Sequence, residues 1–163
     1  MISIPNFLLE TNSIIFNKLG IEIKSVSLEK ESIIYNACQL VLNNRKVLFR
    51  TAKITPTKTG QFVTLWKRIP NGSIAPFEIN DDFELVIIQT KTENQLGYFV
   101  FPKAILIERG IFSTDSKEGK RALRVYPCWD QTTNKQAQKT QQWQLDYFIE
   151  FPFENDKINS LFF

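Results

Sequence analysis

Residues 84–90 read ELVIIQT, and residues 97–101 read GYFVF. Side chains on a strand alternate between its two faces, so an unbroken apolar run leaves no face for water. ELVIIQT therefore predicts a strand covered on both sides, the situation of a sheet between layers, and GYFVF is expected beside it. Working outward, Pro102 and Lys103 open a short helix, AILIER, which Gly110 ends. Strand, strand and helix in that order place the chain in the α/β class. Neither internal repeats nor a linker interrupt it, so a single domain is expected over residues 1–163.

The length of 163 residues is enough to bury roughly 70% of the surface of the unfolded chain. With 43% apolar and 23% charged residues, the composition predicts a soluble globular protein rather than a disordered one. Cys38 and Cys128 lie far apart in sequence, which suits neither a disulfide framework nor a metal cluster, and a reducing cytoplasm fits best. The start, MISIPNFLLETNS, lacks the cationic and apolar segments of a secretory signal. Nowhere does the chain approach the roughly 18 to 20 apolar residues of a membrane span. The sequence has no histidine, which excludes Ser-His and Cys-His nucleophile pairs and His-ligated zinc. Neither a metal nor a cofactor is expected.

Upstream, apolar spacing predicts a helix over 4–19, with Gly20 just past its end. A strand over 33–42, a turn at Asn43 and Asn44, a strand over 46–54, a loop over 55–60 and a strand over 61–68 form an expected three-strand meander. Pro70, Asn71 and Gly72 break the chain before the acidic stretch PFEINDDFE. Farther on, SKEGK (116–120) is expected as an exposed turn, 121–126 as a strand, and a last helix starts at Thr132 or Thr133 and runs to about residue 150. No element is assigned to 151–163.

Charge is distributed unevenly. The net charge is +3, yet residues 32–77 hold seven Lys or Arg and no acid. Within FRTAKITPTKTGQFVTLWKR (49–68), Arg50 and Lys53 project from a strand that is apolar on both faces, so each needs an anionic partner. Two readings stand: an external polyanion, or internal pairing with Asp81, Asp82 or Glu84. Trp66 beside Lys67 and Arg68 suits either base stacking or the core. Thr57 and Lys58, in the loop TPTKTG, carry the hydroxyl and cation of a phosphate contact or form a polar turn. No Gly-rich phosphate loop is present.

A second cluster holds Lys117, Lys120, Arg121 and Arg124. In TTNKQAQKTQQWQLDYF, Trp143 and Tyr147 anchor the helix, while Lys135, Lys139 and Gln142 face outward toward phosphate or water. Lys103, at the start of the short helix, joins Lys53, Thr57, Lys58, Trp66, Arg68, Lys120, Arg121, Arg124, Lys135, Lys139 and Trp143 as candidate nucleic-acid contacts.

Three blocks, FRTAKITPTKTGQFVTLWKR, GYFVFPKAILIERGI and GKRALRVYPCWDQTTNKQAQKTQQWQ, together resemble the MepB family of small bacterial proteins over about residues 30–150. The resemblance implies a restriction-endonuclease-like core, a mixed β-sheet flanked by helices. Such cores often bind Mg²⁺ through an acid on one strand and a (D/E)xK tripeptide on the next. Here the tripeptide ending at Lys53 is Thr51-Ala52-Lys53. A second candidate, Asp82 with Gln89-Thr90-Lys91, leaves too few residues to turn between adjacent strands. The implied function is DNA or RNA backbone binding on a nuclease-like scaffold without an intact metal site. The alternatives are a metal-dependent phosphodiesterase using Asp81, Asp82 or Glu84 with Lys53 or Lys91, and a domain that binds an acidic protein or small anion.

Overall fold

Strands apolar on both faces organise the molecule, a computed structural model that describes residues 2–163. In chain order the strands are β1 (Ile23–Leu28), β2 (Cys38–Leu42), β3 (Arg45–Thr51), β4 (Lys53–Thr55), β5 (Lys58–Thr64), β6 (Trp66–Arg68), β7 (Ile74–Pro76), β8 (Leu85–Lys91), β9 (Leu96–Pro102), β10 (Ala122–Val125) and β11 (Phe148–Glu150). The helices are α1 (Asn6–Thr11), α2 (Lys103–Glu108), α3 (Lys135–Gln144) and α4 (Asn155–Phe162).

A mixed sheet runs β1-β2-β3-β8-β9-β11. Its central pair, β3 and β8, is parallel, and its other neighbours are antiparallel. Apart from Lys91, every residue of β8 is buried. Val47, Phe49, Ile87 and Val100 point to one side, where Leu8 of α1, Phe16, and Ile158 and Phe162 of α4 cover them. Leu48, Val86, Ile88, Phe99 and Phe101 point to the other, against Val63, Leu123 and Val125 of a second sheet ordered β10-β5-β4 and Leu65 just past β5. Each such fully buried Ile or Phe stabilises the fold by about 1.5–3 kcal/mol. The α/β class and the β8–β9 pairing are therefore as the apolar runs require.

The expected meander is not formed. β3 stops at Thr51, the Ala52 amide donates to the Gln89 carbonyl at 2.9 Å, and the chain leaves the large sheet. β4 and β5 then pair with each other, and β5 pairs with β10 in the second sheet. The break follows from β8, which already occupies the far edge of β3, so the next segment can pair only in another layer. Residues 33–35 form a single 3₁₀ turn between the left-handed Ser32 and Asn36, with φ of 59° and 52°, so the strand expected from 33 starts at Cys38. β1 was not anticipated: it is an edge strand in which only Ile23 is buried, so it lacks the apolar alternation of a half-buried strand.

The N-terminal helix forms as α1 and continues through a wider, π-helical turn over Asn12–Phe16. The last long helix is shorter at both ends than the expected 132–150. Asn134 caps α3 by accepting the Ala137 amide at 2.8 Å, and the helix gives way to a 3₁₀ turn and then β11. β11 is a strand because Phe148 and Ile149 enter opposite cores.

Candidate functional site

Pairing of β5 with β10 sets residues 61–64 opposite 122–125, which brings both basic regions of the sequence to one side of the molecule. The β4–β5 turn projects beside them. Gly60, at φ +88°, lets that turn approach closely: a Cβ there would lie 2.7 Å from the Tyr126 ring. α3 is tied to β10 by its glutamines, while its Trp143 packs on the core that holds Leu123 and Val125. Gln144 is fully buried; its Oε1 accepts the Tyr126 amide at 2.9 Å and its Nε2 donates to the Arg124 carbonyl at 3.0 Å. Gln141 Nε2 donates to the Pro127 and Asp130 carbonyls, both at 3.0 Å.

Between these elements lies a groove of about 600 Å³. Thr57, Lys58 and Thr59 of the hairpin form one wall, Lys120 and Arg124 the floor, and Thr132, Thr133, Asn134, Gln136, Ala137 and Thr140 of α3 and its approach the other wall. Among the described residues no Asp or Glu lines it. Arg124 Nη1 donates to Thr55 Oγ1 at 3.0 Å and to the Thr59 carbonyl at 3.2 Å, and the guanidinium lies 5.8 Å from the Phe62 ring centre. These contacts orient the charge without neutralising it. Among the described residues, none of Lys58, Lys120 and Arg124 is ion-paired with a carboxylate.

Of the candidate contacts, Thr57, Lys58, Lys120 and Arg124 thus share one concavity, and the remainder lie elsewhere. Lys53 is exposed on β4, opposite Phe62 in the ladder. Arg68 Nε donates to Glu31 Oε1 at 2.6 Å, holding the Glu31 carboxyl below its ordinary pKa, and stacks 5.7 Å from the Trp66 centroid. Arg121 donates to Glu118 at 2.9 Å, and Lys103 donates to the Asp81 carbonyl. Lys135 and Lys139 are exposed on α3 outside the groove lining. Trp143 packs on Phe101 at 5.5 Å with Arg109 stacked over it at 5.2 Å. Sequence reading missed Thr59, Asn134 and Thr140 as groove residues; the threonine density around Lys58 and before α3 was their only local signal.

The internal pairing expected of Asp81, Asp82 and Glu84 occurs with other partners. They meet Lys67 at 2.9 Å, Lys46 at 2.8 Å and Arg45 at 2.7 Å respectively. Arg50 pairs instead with Glu29, just ahead of the acid-free window, because its strand carries it toward the second sheet and the residues leading into Ser32.

The two Lys-ended tripeptides lie side by side at the carboxyl ends of the parallel pair, with Thr51 opposite Gln89. Thr51 Oγ1 donates to Gln89 Oε1 at 3.1 Å, and Gln89 Nε2 donates to Tyr98 Oη at 3.0 Å. Burial pushes the Tyr98 hydroxyl up to about 12. Lys91 pairs with Glu10 at 2.9 Å. Asp82 does not reach this end, because Lys46 holds it beyond the opposite end of β8. Among the described residues no three Cys, Asp or Glu side chains gather as metal ligands, and no helix is long and apolar enough to cross a membrane.

The MepB-like family model matches residues 29–150. A solved structure described as "Crystal Structure of MepB" superposes with a TM-score of 0.80 at 33% identity, covering 93% of this chain and 100% of that one. No curated protein matches the chain.

Proposed function

We propose that this chain, which belongs to the MepB-like family, binds the backbone of nucleic acid in the groove between the β4–β5 hairpin, β10 and α3. The observation that carries this reading is the gathering of Lys58, Lys120 and Arg124 in a concavity with no acidic lining residue. Cations left without internal partners attract an external anion, and a polymer satisfies several at once. The threonine hydroxyls around them are suited to phosphate oxygens.

We read the core as restriction-endonuclease-like, with binding retained and cleavage absent. Supporting this are the parallel β3–β8 pair, at whose carboxyl ends the two tripeptides meet, and the Thr51 and Gln89 side chains that stand there in place of carboxylates. An ordinary Mg²⁺ site needs at least one or two carboxylates. The protein is then a binding module, acting without metal or cofactor.

Fluorescence anisotropy of a labelled oligonucleotide tests this. Three phosphate contacts predict a loss of affinity of roughly 40-fold between about 50 and about 200 mM salt, from a log–log slope of about −0.9 per contact. Lys58→Ala and Lys120→Ala should each shallow the slope by about one contact. Absence of binding at low salt, or binding indifferent to salt, overturns the reading.

A further inference from the structure

We infer that the groove takes the phosphodiester backbone of a duplex, with no base stacked on the protein and no base sequence preferred. This rests on the nucleic-acid reading above. Proteins that hold single strands pair a cationic track with aromatic faces on which the unstacked bases lie. In this chain the tryptophan faces are already occupied, and the exposed Phe151 and Phe163 do not line the groove. Trp143 is sandwiched between Phe101 and Arg109, Trp66 carries Arg68, which Glu31 holds in turn, and Trp129 packs edge-on against Phe148 at 5.7 Å.

Within the groove the one aromatic lining residue is Tyr126, whose ring packs against the Gly60 backbone. Everything else that can contact a ligand there is ammonium, guanidinium, hydroxyl, amide or aliphatic, a set that serves phosphate and sugar contacts. A duplex also offers about twice the charge per unit length of one of its strands, one per ~1.7 Å against one per ~3.4 Å. Fixed cations without a stacking platform are satisfied better by the denser array.

The test compares a short DNA duplex, an RNA duplex of the same sequence and their separate strands at one low salt concentration, each duplex also in a second, unrelated sequence. Tryptophan emission is followed in the same titrations. Duplexes of either kind are expected to bind about tenfold or more tighter than their strands, with the two sequences equal within error and tryptophan emission unchanged. Strands that bind as tightly as the duplex, or quench tryptophan on binding, overturn the inference while leaving the nucleic-acid reading intact. A strong preference between the two sequences also overturns it. If no polynucleotide binds, the underlying functional reading is what has failed.

Discussion

Arg50 and Glu29 meet in a two-pronged ion pair, Nη2 to Oε2 at 2.8 Å and Nη1 to Oε1 at 3.2 Å, with the Arg50 side chain wholly excluded from solvent. The guanidinium uses two further donors on the Phe49 and Thr64 carbonyls at 2.9 and 3.3 Å. Burial pulls its pKa below the ordinary arginine value, and Glu29 is the first influence opposing that. A cation in a strand between two sheets is thus accommodated by one carboxylate and two carbonyls, as the desolvation of a guanidinium demands.

Removing Glu29 leaves that charge buried and unpaired. Glu29→Ala is expected to destabilise the protein by about 3–5 kcal/mol, whereas the double variant Glu29→Ala/Arg50→Met should recover much of the loss, since an apolar replacement of both partners is often near neutral. Urea unfolding of the three proteins checks this. A double variant no more stable than Glu29→Ala would show that the pair is not what Glu29 contributes.

Gln144 stands in for a neighbouring strand, supplying an acceptor to Tyr126 and a donor to Arg124 across from β10. Gln144→Leu keeps the volume but orphans a partly buried amide and a partly buried carbonyl, each worth about 1–3 kcal/mol when left unpaired. The expected loss is roughly 2–4 kcal/mol. Gln142→Leu, at an exposed neighbouring position, should change stability by less than about 0.5 kcal/mol. Thermal or urea unfolding of the two variants should separate them clearly.

These same residues explain what was legible. LVII (85–88) and YFVF (98–101) announce a covered strand pair because nothing charged interrupts them, and the structure buries both. The run 46–54 reads as one strand because its apolar alternation continues across Ala52; the break there comes from β8, about forty residues away, which no local pattern reports. α3 reads as solvated because glutamine is polar, yet Gln141 and Gln144 point inward to satisfy backbone groups, a role invisible without the strand they serve. The groove cations were visible as charges. What joins them is the β5–β10 pairing between distant segments, and what removes Arg68 and Arg121 from the set is pairing with Glu31 and Glu118.

Asp130 gives a stability dependence on pH. Burial raises its carboxyl pKa above the ordinary value of 3.8, with the Gly60 amide pulling the other way. A raised folded-state pKa means that the native protein holds the proton more tightly than the unfolded chain. The contribution therefore favours folding fully below the ordinary Asp pKa and is lost as pH rises through the raised one. Asp130→Asn removes this term. The stability of Asp130→Asn relative to the unmodified protein should rise from about pH 3 to about pH 7, the other titrations cancelling in the difference. Urea unfolding at the two pH values reads this directly, and a difference that stays constant or falls removes Asp130 as the source.

Paired and unpaired cations should separate in function. Arg68 and Arg121 carry the same formal charge as Arg124, but each already donates to a carboxylate at 2.6 or 2.9 Å and neither lines the groove, so deleting either removes no ligand contact there. Lys58 and Lys120 have no such partner. Lys58→Ala and Lys120→Ala are each expected to weaken oligonucleotide binding about 3- to 10-fold at low salt and to shallow the salt slope by about one contact. Arg68→Ala and Arg121→Ala should alter affinity by less than about twofold, because an exposed ion pair contributes only ~0–1 kcal/mol and is not itself part of the binding surface. Anisotropy titrations of the four variants, with circular dichroism to confirm an intact fold, decide the matter. Equal losses in all four would mean that net charge, rather than the groove, governs binding.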